Sequence, residues 1–385
     1  MQVSQSVFTV KSPPRFEGAS ETRANQLVLV FGSTALLSDS ANFSAIRSAF
    51  PGGLIVGCST AGEIHGTSVS DDTLVVTVVN FDQTRLHLSR AIITDPLQSF
   101  AIGQTLVESL PQDELEHILV FSDGLHVNGT ALVRGMRNSL PRHVAVTGGL
   151  SADGASFQKT LVCSNDLPGD CQVAAVGLYG SHIKIGYGSL GGWDPFGPER
   201  VITRSAGNVL FDLDYKPALE LYKRYLGEHA AGLPATGLLF PLSLRYPENL
   251  GLGPNSPPGV VRTILAVDET NQSMTFAGDM PEGGHVRLMK ANFERLIDGA
   301  SEAAKISALP MHDKSAQLAL LVSCVGRKLV LKQRVEEEIE GVRDVLGDHA
   351  VLAGFYSYGE ISPHVAGDAC ELQNQTMTIT TFLES

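Results

Sequence analysis

Gly57-Cys58-Ser59-Thr60-Ala61-Gly62-Glu63-Ile64 and Gly354-Phe355-Tyr356-Ser357-Tyr358-Gly359-Glu360-Ile361 are two versions of one loop. Both close on Gly-Glu-Ile, and a third version, Gly148-Gly149-Leu150-Ser151-Ala152-Asp153-Gly154, lies between them. The chain around each loop follows one plan. An apolar stretch comes first, at residues 27–31, 118–121 and 318–322. It runs into Gly32-Ser33, Ser122-Asp123-Gly124 or Ser323-Cys324, then a helical stretch, then the strand that carries the loop. This plan, met three times, predicts an α/β fold, or an α+β variant, with mixed sheets built from repeated βαβ-like units. Loops at strand ends are where ligands bind in sheets of this kind.

The chain has 385 residues, which predicts two or three domains. Its hydrophobic content is 43% and its charged content 18%, enough apolar surface for a large core. The net charge is −13 with no Lys/Arg cluster, a field that repels nucleic acid and anionic membrane. Cys58, Cys163, Cys171, Cys324 and Cys370 form no CxxC pair and no zinc spacing. A scattered, odd set fits a reducing cytoplasm. The first fourteen residues are polar and predict no secretory leader, and no apolar run reaches the roughly 18 residues of a membrane helix.

Residues 1–25 read as an arm or edge strand. Strands at 85–92 and 182–187 are expected to close the first and second units as a fourth strand each. Helices are expected at 40–50, 100–110, 129–140, 216–226, 287–303 and 335–345, with Asp214 capping the fourth. Residues 247–259, rich in Gly, Pro and Asn, read as a loop, and 260–267 with 273–277 as a hairpin. The run Glu336-Glu337-Glu338 reads as a solvated face. The divisions are an arm at 1–25, a first half at 26–215 and a second at 216–385.

Several of these stretches resemble the FIST family. The first Gly-Glu-Ile loop, Ser122-Asp123-Gly124, Thr147-Gly148-Gly149, Gly191-Gly192-Trp193 and Pro217-Ala218-Leu219-Glu220 are similar to blocks of the FIST N-terminal domain. Phe240-Pro241, Arg262, Pro281-Glu282-Gly283, the last Gly-Glu-Ile loop and Asn374-Gln375-Thr376 resemble the FIST C-terminal domain. The resemblance implies a bacterial sensory module for small ligands, amino acids among them. It also implies a likeness to haem proteins of that family that sense nitric oxide and act on a histidine kinase. No kinase, receiver or cyclase segment stands in the chain, so the output is expected in a partner protein.

Glycines at loop ends let backbone N–H groups approach a ligand closely. Glu63 and Glu360 either accept a ligand ammonium or latch the loop backbone. The expected pocket is lined by Tyr356, Tyr358, Gly359 and Glu360, with Arg262 and Trp193; Ser59 and Glu63 mark the equivalent place in the first loop. Arg262, alone in an apolar strand, needs a carboxylate partner or a ligand. Haem needs an axial ligand, and His65, His364, His126 and His182 are the candidates near the loops. An enzyme reading rests on Cys58 as nucleophile, with no base near it in sequence. The expectation is a sensor and not an enzyme.

Overall fold

The computed structural model describes residues 1–16, 25–246, 259–312, 314–363, 367 and 369–385. Its organising feature is an approximate threefold repeat. Each repeat builds one mixed sheet in the order outer, return, lead and loop strand. The lead strands are Gln26–Gly32, Leu115–Ser122 and Leu318–Cys324. They pair in parallel with the loop strands Leu54–Ser59, Ala145–Leu150 and Val351–Ser357. The return strands are Thr73–Asn80, Gln172–Tyr179 and Met377–Glu384, and the outer strands are Gln2–Thr9, Arg85–Ile92 and Ile183–Leu190. Arg85–Ile92 therefore belongs to the second sheet and Ile183–Leu190 to the third, each opening a repeat where the sequence reading had it closing the one before.

The repeats are locked by exchange. Glu63–His65, from the first loop, adds to the third sheet. Gly359–Ser362, from the third, adds to the second, and Val162–Ser164, from the second, adds to the first. At the crossings the same backbone bond occurs three times. Ala61 N–H donates to Tyr356 O, Tyr358 N–H to Leu150 O, and Ala152 N–H to Ser59 O. The loops at 57–64 and 354–361 thus hold equivalent positions, as their shared ending predicts.

Lead strands buried on both faces read as unbroken apolar runs. One face of each sheet turns to a common inner core, where Phe31, Phe121 and Phe355 meet with ring centroids 4.7–6.2 Å apart. The other face is covered by helices: Ser40–Ala49 on the first sheet, Ser99–Glu108 with Gly129–Asn138 on the second, and Phe293–Ala308 with Val335–Leu346 on the third.

The third repeat carries an insertion between its outer strand and its first helix. Between residues 194 and 290 the described strands form an antiparallel sheet around the helix Ala218–Leu226, with a core of its own. Here the sequence reading needs three corrections. Residues 287–290 are strand, in His285–Lys290, because they pair with Leu242–Arg245 and Asp194–Ala206; the helix starts only at Phe293. Val260–Arg262 pairs with Leu242–Arg245, so the hairpin is Ile264–Asp268 with Ser273–Phe276. Asp214 does not cap the helix: its carboxylate takes Arg200 Nη1 at 2.9 Å and Val201 N–H at 2.9 Å. The expected loop at 247–259 lies outside the described residues except for Gly259.

Candidate functional site

Glu63 and Glu360 are matched latches. Glu360 accepts Ser357 Oγ at 2.7 Å, Thr376 Oγ1 at 2.9 Å and Thr376 N–H at 3.2 Å. Glu63 accepts Thr60 Oγ1, Thr73 Oγ1 at 2.7 Å and Thr73 N–H at 3.1 Å. In the second repeat Val162 holds the equivalent register position, so no carboxylate meets the loop serine, and the buried Ser151 Oγ has no partner among the described residues. Asp123 holds the return chain there instead, through Cys171 N–H at 3.0 Å.

Burial pushes both latch carboxyls up, Glu360 to about 8. A folded-state value above the unfolded one means the native state binds the extra proton. Its contribution is complete below about pH 4.5 and is lost as pH rises towards 8. Glu360→Gln is therefore expected to flatten the fall in melting temperature between pH 5 and 8.5. A fall as steep as in the wild type, followed by differential scanning calorimetry, contradicts this assignment.

The corner that follows the third loop differs from its counterparts. By strand register Gln375, Asp72 and Cys171 are equivalent, and all three adopt left-handed backbone, with φ of 62°, 56° and 52°. Asp71 and Asp72 are exposed, whereas Asn374 and Gln375 are completely buried. Their neighbours are Trp193, Gly191, Gly326 and Arg327. Trp193, at the insertion's entry, donates Nε1–H to Gln375 O at 2.9 Å. Beside it Arg327 forms a buried ion pair with Glu338 at 2.6 Å and donates to Gly191 O and Leu296 O. Tyr356 OH donates to Glu338 Oε1 at 2.6 Å. Glu338 is thus an interior anion and not part of a solvated face.

The inserted sheet holds a small cleft with about 20 Å³ of internal space, room for about one water. Phe196, Leu213, Leu221, Tyr222, Val286 and Leu288 give it an apolar lining, and Arg200 and Tyr225 add polar groups. Arg200 Nη2 donates to Tyr225 OH at 2.5 Å, and its Nε is buried without a partner among the described residues. A second cleft, of about 10 Å³, lies under the helix Ser40–Ala49.

The FIST N domain model matches residues 26–216 and the FIST C domain model residues 218–363. The chain belongs to the FIST family. FIST domains are small-ligand sensory domains of signal transduction. An uncharacterized protein of Methanocaldococcus jannaschii is 23% identical over 353 residues, and the match covers 85% of this chain and 64% of that protein's length. A cyanuric acid hydrolase from A. caulinodans is similar over 100% of this chain and 99% of its own, with TM-score 0.38 and 8% identity. A second cyanuric acid hydrolase structure gives TM-score 0.33 and 10% identity, covering both chains fully. Likenesses of that size transfer no residue roles. Among the described residues no helix is long and apolar enough to cross a membrane.

Neither cleft is lined by Tyr356, Tyr358, Gly359, Glu360, Arg262 or Trp193. Tyr358 OH donates to Asp153 and its ring stacks on Phe157 at 4.3 Å. Gly359 pairs with Leu150 across the exchanged strand. Arg262 is buried and donates to Leu372 O at 2.9 Å and Tyr246 OH at 2.7 Å, which ties the insertion to the second sheet. Its partner is neither Glu360 nor Asp123. Cys58 packs in the inner core with its thiol pushed well up by burial, and Ser59 Oγ accepts Leu161 N–H at 2.8 Å. Arg200, Phe196 and Tyr225 were missed because the cleft is made by pairings remote in sequence.

Three of the candidate histidines have protein partners. His65 Nε2 bonds Ser70 Oγ at 2.9 Å, His126 Nδ1 lies 3.1 Å from Asp123 Oδ1, and His182 Nδ1 lies 3.3 Å from Ser385 O. None of the three lines either cleft. His364 lies outside the described residues. Asp123, His126 and Cys171 bring three ligand atoms together. The Asp123 oxygens are already taken by Leu125 N–H, His126 N–H, Thr160 Oγ1 and Cys171 N–H, so the cluster reads as a loop clamp.

Proposed function

We propose that this FIST protein senses a small metabolite without haem, and that the ligand enters the cleft of the inserted sheet. The carrying observation is an apolar cleft bearing one guanidinium with an unused N–H. An apolar cavity with few polar groups is the usual form of a small-molecule site. Its chemistry suits an amino acid or related carboxylate: the cleft widens so that the side chain packs among Phe196, Leu221 and Leu288 while the carboxylate reaches Arg200. The signal leaves through a separate partner such as a histidine kinase, in the cytoplasm. Asp194–Ala206, the strand that brings Phe196 and Arg200, starts next to Trp193 and so joins the cleft to the three-sheet body.

Leucine, phenylalanine and phenylacetate, titrated calorimetrically into the full chain, test this. At least one is expected to bind, and Arg200→Met is expected to weaken it at least tenfold. The Arg200–Asp214 pair is part-exposed, so the same change costs only about 1 kcal/mol of stability. Binding by none, or binding indifferent to Arg200→Met, overturns the cleft reading. A Soret band in the purified protein restores the haem reading, with His364 first in line.

A further inference from the structure

We infer that the outer strand of the first repeat, Gln2–Thr9, is the interface of a homodimer: it pairs antiparallel with the same strand of a second copy, about a twofold axis at Gln5. The interface is independent of the cleft. It follows from an open sheet edge, the absence of charge along that edge and a short palindrome in the sequence.

Gln2–Thr9 pairs with Thr73–Asn80 on one side, and among the described residues no strand adds to the other side. Thr9 exchanges backbone bonds with Ser12 at 3.1 and 3.0 Å, while Thr73, opposite it, gives its O to Ser33 N–H at 3.1 Å. Thr9 therefore turns its N–H and C=O away from Thr73–Asn80. In an antiparallel strand this direction recurs at every second residue, so Val3, Gln5 and Val7 present theirs along the free edge. Such an edge invites another strand unless charge, proline or a covering element blocks it. The two equivalent outer strands are blocked. Arg85–Ile92 carries Arg85 and Arg90, paired with Glu114 and Asp166. Ile183–Leu190 carries Lys184 and lies against the helix Phe293–Ala308, where a Cβ at Gly186 would stand 1.9 Å from Ser307 O. The first edge has no charged side chain from Met1 to Val10, and it exposes Val7 and Val10.

The sequence of the strand selects the occupant. Val3-Ser4-Gln5-Ser6-Val7 reads the same in both directions. Antiparallel pairing centred on Gln5 sets each residue against its own kind: Gln5 meets the Gln5 of the second copy, Val3 the Val7, and Ser4 the Ser6. Val3, Gln5 and Val7 are the outward residues, so these pairs exchange both backbone bonds. The serines fall in the closer, non-bonded pairs, with Cα atoms about 4.5 Å apart. At the centre Gln5 is anchored, donating Nε2–H to Thr77 Oγ1 at 3.0 Å and to Leu352 O at 3.2 Å, which fixes the strand where the axis passes. Two copies of a chain with net charge −13 repel over most of their surface. This strip has no charge to repel, and neither has Thr73–Asn80 beside it. A twofold contact of this kind is self-complementary and closes at two copies. The strip is one strand wide, at the low end of specific interfaces, below about 1,200 Å². A dissociation constant of about 10–100 µM is expected.

Sedimentation equilibrium of the untagged full chain, from about 5 to about 300 µM, tests this. The wild type is expected to pass from monomer to dimer over that range. Ser4→Lys/Ser6→Lys sets like charges directly opposite each other on both sides of the axis, and is expected to weaken the dimer at least tenfold. Ser4→Lys/Ser6→Glu changes the same two positions but sets Lys against Glu, and is expected to dimerise at least as well as the wild type. Ser4 is exposed and Ser6 half-buried, so both variants are expected to fold, with melting temperatures close to the wild-type value. A wild type that stays monomeric at the highest concentration overturns the inference without need of a variant, and leaves the edge to a strand of another protein. So does a dimer that the two charge patterns affect alike.

Discussion

Arg327→Leu is expected to lower the melting temperature by roughly 5 °C. The guanidinium and Glu338 are both completely buried, and the pair is met on every side, by Gly191 O, Leu296 O, Ser323 Oγ and Tyr356 OH. Removing one partner leaves an uncompensated charge in the interior, a loss of about 3–5 kcal/mol. At about 1.2 °C per kcal/mol for a cooperative unit of 385 residues, that gives the stated shift. The double variant Arg327→Leu/Glu338→Leu removes both charges and is expected to recover at least half of the loss. If the single change costs under 2 °C, or the double is worse than the single, the pair is not held as described. Scanning calorimetry reads both.

Gly57→Ala is expected to prevent folding, with no soluble monomer recovered. A Cβ at this position would stand 1.8 Å from Val30 O, the backbone of the neighbouring lead strand, and φ is +156°. No side chain can move aside, because the obstacle is the parallel sheet itself. The threefold repeat supplies two replicas. A Cβ at Gly148 would meet Val120 O at 1.9 Å, and one at Gly354 would meet Leu321 O at 1.9 Å. Gly154→Ala is the control: φ is +71° but nothing lies within 4 Å, so only a backbone cost of about 1 kcal/mol is expected. Soluble Gly57→Ala protein with a melting temperature near that of the control would show that the strands can separate to admit the methyl.

Much of the body was legible in the sequence because its signals are local. Buried lead strands and amphipathic helices announce themselves by apolar spacing, and the helices Ser40–Ala49, Gly129–Asn138 and Val335–Leu346 lie within two residues of expectation. Where the reading failed, pairing had overruled propensity. Arg287-Leu288-Met289-Lys290 suits a helix by composition but is claimed by strands on both sides. Glu338 looked solvated as one of three adjacent glutamates. It lies on the same helix face as Ile339, Val342 and Leu346, and it faces Arg327.

The sequence by itself determined that three copies of one strand–helix–strand plan exist and that their glycine loops are equivalent. Glycine, apolar period and the repeated Gly-Glu-Ile are properties of short segments, and short segments carry them whatever the rest of the chain does. Only the tertiary structure decided that each loop gives its last strand to another repeat, that Glu63 and Glu360 close upon their own return chains, and that Arg262 ties the insertion to the second sheet. It also decided that the third corner is covered while the other two are open. Those outcomes depend on which polar groups lose water when remote segments meet, and desolvation is a property of the assembled fold.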